Sequence, residues 1–479
     1  MQQVSKGPDR STAVLYGIFI LLSATFGLSV GIGATRVVAA IIFVVALFWL
    51  SRFWRIGVSA LLLLGCFDGV IKYTHGSPGV FMLKDLTLLG ILGGMLVMLA
   101  IRPERKPVGS WHGLWAWLLY VGYIGAQALN PAAGLTGGLA GFRAHAFFAF
   151  LFVVGVVYFT NPRRLSRTAG VAIVGITLAA GAGIFQFLFE DLWTSLAPGL
   201  LVASHKFTSY FAGAGGISDL MGAVPRAYGT MVDPAALGAA CAVGFIFAAA
   251  ALARTKGLVR LLVIVGMLTM GVALLFSGSR ASAAGVAAGL IAFVILSWRH
   301  SSMRLPATIA LVLVVLTIPL GLKATGGSAG DRFTSSDNLS YAAQTRAVST
   351  RRVLASVPTH PFGMGLGATG AGGRLSTHGQ NTIAVDNLYL ATLYETGVPG
   401  LLIFLVLQLT ILILTIRCSK QAASLEARSV YIGMAAAQIA LLVNGIWSQG
   451  AFDYAPVSQI FWLFSGAVAL PKRVEGEAG

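Results

Sequence analysis

An all-α, polytopic integral membrane protein is the fold class this sequence predicts, and three observations predict it. Hydrophobic residues make up 57% of the 479 and charged residues 10%, and the mean hydropathy is +0.83. A soluble surface cannot be built from that mixture. The apolar residues also fall in unbroken runs of about 17 to 22, the length that carries a helix through a bilayer, rather than in the alternating ten-residue segments of a membrane β-barrel.

Taken in order, spans are expected near residues 14–33, 37–51, 56–71, 80–101, 112–129, 144–160 and 169–190. Seven more are expected near 233–253, 258–276, 281–298, 305–322, 390–416, 430–449 and 456–471. The second and third are short and tightly linked, so the expected count is twelve to fourteen. The first run follows Lys6 and Arg10 as a signal sequence would, but no small-residue cleavage site follows it, and it reads as a retained span.

The chain therefore divides into N-terminal transmembrane helices (1–190), an interfacial loop (191–232), central transmembrane helices (233–322), a large loop (323–385) and C-terminal transmembrane helices (386–479). The first loop carries Trp193, Phe207, Tyr210 and Phe211 among small apolar residues, which suits a segment lying at a membrane surface. The second is polar and glycine-rich, with no regular structure evident, and long loops of that kind are commonly functional. No internal repeat is visible, which speaks against a duplicated transporter.

Net charge is +17, a value that in a soluble protein would suggest nucleic acid as a partner. Placing the N-terminus in the cytoplasm puts 20 of the 33 basic residues in interior segments, in groups such as Arg102/Arg105/Lys106 and Arg163/Arg164/Arg167. Most of the charge then serves to orient the spans, both termini are cytoplasmic, and nucleic acid is not an expected partner. Cys66, Cys241 and Cys418 lie within or at the ends of apolar runs, without metal-ligand spacing.

The remaining basic residues need another reason. Arg143, Arg226, Arg280 and Arg346 sit on the exterior side, each near the end of a span or in the large loop. A guanidinium fork pairs with two phosphate oxygens at once, so several arginines converging at the outer surface would hold a pyrophosphate without a metal. The bland alternative is an anchor for lipid headgroups or a local ion pair. Asp233-Pro234 reads as a helix cap followed by proline at the first helical position, which places Arg226 just outside the span it begins.

The run Gly363-Met-Gly365-Leu-Gly367 lacks the strand-before, helix-after context of a nucleotide loop and is expected to form tight turns. Beyond it lies Asp386-Asn387, nine residues, then Gly397-x-x-Gly400. Were the helix to run from Asp386, residues 386, 393, 397 and 400 would lie within about 40° of one face, with Glu395 opposite. On that reading Asp386 sits at an outer mouth and the glycines leave room for a neighbouring helix or a lipid tail. A carboxylate so placed can take the proton of an attacking hydroxyl. A helix cap is the structural alternative for Asp386, and an intramembrane polar contact the expectation for Glu395. Of the exterior histidines, His75, His145, His205 and His360 read as incidental, whereas His378, eight residues before Asp386, is a substitute base.

These motifs, from Arg226-Ala-Tyr-Gly-Thr through Ser277-Gly-Ser-Arg280 and Arg346 to Asp386-Asn387 and Gly397-x-x-Gly400, resemble the O-antigen ligase and O-antigen polymerase superfamily over roughly residues 220–416. One departure stands out: the family's His-Asn is Asp386-Asn387 here. The resemblance implies a GT-C-like membrane glycosyltransferase in the bacterial inner membrane, with its site on the periplasmic face. It implies an undecaprenyl-pyrophosphate-linked glycan donor, a glycan or lipid-core acceptor, surrounding membrane lipids, and inverting transfer with no metal or other cofactor. Polymerisation of lipid-linked repeat units is the first expectation, because an aspartate in the histidine position separates the chain from the ligases. Ligation to lipid A core is the second, and transport of a lipid-linked or anionic substrate the third.

Overall fold

The computed structural model describes residues 52–70, 83–101, 113–196, 226–324, 336–369, 383 and 385–469. The spans expected near 14–33 and 37–51, and His378, lie outside the described residues. Contacts divide the chain into two units, residues 1–61 with 82–108 and residues 62–81 with 109–479. The first unit contains most of α1 (Trp54–Cys66) and all of α2 (Leu83–Ile101).

The second unit holds everything that follows. In chain order it comprises α3 (Leu114–Gln127), α4 (Gly134–His145), a 3-10 turn (Phe147–Phe150), α5 (Leu151–Tyr158), α6 (Pro162–Leu188) and α7 (Glu190–Leu196). After these come α8 (Pro234–Leu252), α9 (Gly257–Phe276), α10 (Arg280–Ser297), α11 (Ser301–Ala324) and α12 (Ser336–Ser356). The chain then forms α13 (Leu388–Gln421), α14 (Leu425–Asn444), a second 3-10 turn (Gln449–Ala451) and α15 (Val457–Ala467). No strand occurs among the described residues, apart from an isolated bridge between Thr369 and Ile383.

Eight helices among the described residues are long and apolar enough to cross a membrane, or nine if α4 and the Phe147–Tyr158 segment, bent by 46°, count as one span. The fold is all-α and polytopic, as the composition predicts. The expected span at 144–160 is instead this bent pair, and its break falls at His145 and Ala146. The loop expected at 323–385 is not devoid of regular structure: α12 runs through it and carries Arg346. In the loop expected at 191–232, α7 continues to Leu196 and includes Trp193, whereas Phe207, Tyr210 and Phe211 lie outside the described residues.

Burial shows how the second unit is layered. Of the most apolar 18-residue window, 94% is buried in α8 and 72% in α14, against 33% in α9 and α11. Helix α8 can sit at the centre because it is built from Ala, Gly and a few larger residues, small enough for neighbours to approach on every side. Polar side chains join the helices around it. Asn444 Nδ2 of α14 donates to Ser282 Oγ of α10 at 3.0 Å, and Gln438 Nε2 of α14 donates to the Gln408 carbonyl oxygen of α13 at 2.8 Å. Each bond satisfies a group that hydrocarbon would leave unpaired.

Candidate active site

The arginines are set by the ends of α8, α9 and α10. Asp233 caps α8, its carboxylate accepting from Ala236 N at 2.8 Å, with Pro234 at the first helical position as expected. Gly278, at φ +58°, turns the chain between α9 and α10, and the side chain of Ser279 then caps α10 so that Arg280 becomes its first residue. Arg226 is sewn to this turn: its Nε donates to the Ser277 carbonyl at 2.8 Å, and Ala227 N donates to the Phe276 carbonyl at 3.0 Å. From below, Gln186 Oε1 of α6 accepts from Tyr228 N and Gly229 N at 3.0 and 2.8 Å.

Three arginines and one carboxylate meet there. Arg346 of α12 presents a like charge to Arg280. Asp386 lies within the fields of Arg346 and Arg226, and Asp233 within that of Arg226. Arg280 Nη1 and Arg346 Nε are buried and have no hydrogen-bond partner. Arg143 is exposed on α4, two residues and so about 200° round the helix from His145.

Asp386 is neither on a helical face nor a cap. Asn387 is the cap, with its side chain accepting from Leu390 N at 2.9 Å and donating from Nδ2 to the Ile446 carbonyl at 2.8 Å. Asp386 therefore sits in extended chain one residue outside α13, open to solvent. The protein crowded around it strips part of its water and raises its carboxyl above the usual carboxylate range, and Arg346 and Arg226 pull it back. Its accessible surface, more than the density of surrounding atoms, governs how strongly water screens it.

Gly397 and Gly400 do not continue a face below Asp386, because α13 is broken at Gly397, where φ is +71° and ψ −173°. Only glycine adopts that conformation readily. The glycine-rich run docks into the break, with Gly363, Gly365 and Gly367 all at positive φ. Met364 N donates to the Tyr394 carbonyl at 2.8 Å and Gly365 N to the Glu395 carbonyl at 3.0 Å. Tyr123 OH donates to the Thr396 carbonyl at 2.7 Å, and Val398 N to the Pro361 carbonyl at 3.0 Å. These bonds take up backbone groups that the interrupted helix leaves open. Gly397 abuts Pro361 and Phe362, and Gly400 abuts Thr396 and Tyr123, so both serve packing and not a lipid-tail cavity.

The break also organises residues that the sequence reading passed over. Glu395, buried one turn above it, accepts on Oε1 from Thr369 N at 2.8 Å and from Thr369 Oγ1 at 2.6 Å. Its Oε2 meets His145 Nε2 at 2.8 Å, and the other ring nitrogen, Nδ1, meets Asp453 Oδ1 at 3.1 Å. Gln449 Nε2 completes the network by donating to Thr369 Oγ1 at 2.6 Å. His145 is thus not incidental; it joins the α4 break to the α13 break. A cavity of about 20 Å³ beside the trio, also lined by Tyr120, Phe404, Phe452 and Trp462, has room for one water. Next to Asp453, Tyr454 faces Asp233, and burial together with Asp233 and the other nearby carboxylates pushes its phenol well above the ordinary value. It remains a hydrogen-bond donor throughout the physiological range.

One signal for this network was legible: an ionisable residue inside an apolar span, followed by Gly-x-Pro-Gly, marks a broken helix and a functional contact. Its partners came from sequence positions about 250 residues apart with no spacing to link them.

A multi-pass α-helical membrane protein whose arginines converge on a carboxylate at the helix ends is the class that fold and site define. Residues 265–405 match the family model described as O-antigen ligase, a segment that includes Arg280, Arg346, Asp386 and the broken helix. The match places this chain in the O-antigen ligase and polymerase superfamily. Among curated proteins no relative matches.

Proposed function

We propose that the protein is a membrane glycosyltransferase that polymerises undecaprenyl-pyrophosphate-linked oligosaccharide units on the periplasmic face of the inner membrane. The observation that carries this reading is the pair of buried, unpartnered guanidinium groups, Arg280 Nη1 and Arg346 Nε, in a cluster that also holds Asp386 and Arg226. A buried N–H without a partner is costly, and an anion that completes it recovers that cost. A lipid pyrophosphate is such an anion, and Arg226, Arg280 and Arg346 would grip it with charge-assisted hydrogen bonds.

In the transfer step an acceptor hydroxyl oxygen attacks the anomeric carbon of the donor sugar while Asp386 takes the hydroxyl proton. The bond from that carbon to the pyrophosphate oxygen breaks, and its electron pair leaves with the lipid pyrophosphate, whose charge the arginines stabilise. A single displacement inverts the anomeric centre. Asp386 in place of histidine favours polymerisation over ligation. The ionisable trio at two helix breaks is the observation that favours the second reading, a transporter of a lipid-linked substrate.

Purified protein in vesicles, given a lipid-pyrophosphate oligosaccharide, is expected to yield elongated glycan and free lipid pyrophosphate. Asp386→Asn should lower that rate by about 10²–10⁴-fold, the usual contribution of a general base. Near-normal elongation by the variant rejects Asp386 as base, and movement of unaltered substrate across the bilayer without release of lipid pyrophosphate decides for transport.

A further inference from the structure

We propose that His145 is a positioning residue for the transfer site, holding the short helical segment below Asp386 in register with the loop that faces the arginine cluster. The inference rests on the transfer reading for its kinetic consequence, and on geometry alone for its mechanical one.

The half of α13 that precedes the break, from Leu388 to Thr396, is a little over two turns long. Its upper end is tied by Leu388 N, which donates to the Gly445 carbonyl at 2.8 Å, and by Asn387 Nδ2 on the Ile446 carbonyl. Its lower end has no continuous helix to hold it, because Gly397 interrupts the backbone. Glu395 supplies the missing anchor, with Thr369 on one oxygen and His145 on the other.

His145 carries the anchor onward. Its second nitrogen meets Asp453, whose neighbour Tyr454 faces Asp233, the cap of α8 that lies in the field of Arg226. One imidazole therefore links the element that places the carboxylate to the element that places an arginine. Both ring nitrogens face carboxylate oxygens, so two hydrogens are shared among the three groups, one more than a neutral imidazole brings. With side-chain exposures of 19%, 2% and 20% for His145, Glu395 and Asp453, bulk water cannot replace the ring without opening the site.

The test compares His145→Ala and His145→Gln with the parent in two measurements. Hydrogen exchange reads the mechanical claim without any substrate. In His145→Ala, amides of 388–396 and 450–456 should exchange at least tenfold faster while those of α8 stay protected, and His145→Gln, which can still bond one carboxylate, should recover much of the protection. Kinetics read the functional claim: kcat for elongation should fall at least tenfold while binding of undecaprenyl pyrophosphate stays within threefold. Unchanged exchange in both segments overturns the proposal whether or not the protein transfers glycans. Loosened segments with kcat within threefold of the parent restrict His145 to a structural tie and overturn its positioning role. Asp386→Asn, run in parallel, separates failure of the base from failure of the anchor.

Discussion

Arg280→Gln separates a ligand-gripping arginine from a structural one, because the two roles predict opposite signs. In the absence of lipid, Arg280 is poorly placed. It is the first residue of α10, at the positive end of the helix dipole, where a cation costs about 0.3–1 kcal/mol, and Arg346 presents a like charge. Its Nη1 has no partner to lose. The substitution should therefore leave the unliganded protein as stable as before, or more stable by up to about 1 kcal/mol. With lipid pyrophosphate present it removes a charge-assisted hydrogen bond of about 1.5–3 kcal/mol, which weakens binding by about 10- to 160-fold. At a lipid concentration of about 100 times the parent's Kd, binding stabilises the parent by about 2.7 kcal/mol and the variant by only about 0.3–1.3 kcal/mol. Thermal unfolding in detergent, with and without undecaprenyl pyrophosphate, reads both quantities in one experiment. A variant that unfolds earlier without lipid and keeps its full lipid-induced shift would refute the reasoning.

Two further predictions address the base and the broken helix. Asp386 acts ionised, so transfer should rise with pH through its titration. Arg346 favours the ionised form, and Arg346→Gln should move that limb to higher pH in a rate–pH profile; a limb that stays put or moves down contradicts the assignment. Because the folded state raises this carboxyl, any stability tied to it is present below the unfolded pKa and declines as pH rises through the folded one, so removing the charge should not destabilise the protein at neutral pH. Gly397→Ala should cost about 4–6 kcal/mol, from about 1–3 for the conformation and about 1 for each of three loop hydrogen bonds, since a Cβ there would lie 2.5 Å from the Phe362 carbonyl carbon. Stability of the purified variant to denaturant measures it, and a loss below 1 kcal/mol would mean that the loop simply moves aside.

What the sequence made legible followed from periodicity and local rules. The spans of α6, α8, α9 and α10 were readable because each is one apolar run with a cap or glycine at its edge, and Asp233-Pro234 announced the start of α8. The convergence of Arg226, Arg280 and Arg346 was readable from exterior charges that membrane orientation did not need. Where chain continuity fails, the reading failed too. A uniform helix through Asp386 put Glu395 on the wrong face, because the Gly397 break resets the angular phase and Asn387, not Asp386, begins the helix. His145 looked ordinary because its meaning depends on Glu395 and Asp453, which folding alone brings to it.

Helix α8 carries a consequence for the bilayer. Since neighbouring protein covers nearly all of its apolar window, acyl chains have almost no purchase on it, and its Asp233 end reaches the arginines. Thicker or thinner lipids will tilt the peripheral helices, α9 and α11 first, while this inner mast keeps its height. The reaction centre is thereby insulated from changes in the surrounding fat, a useful property for an enzyme whose own substrate is a lipid.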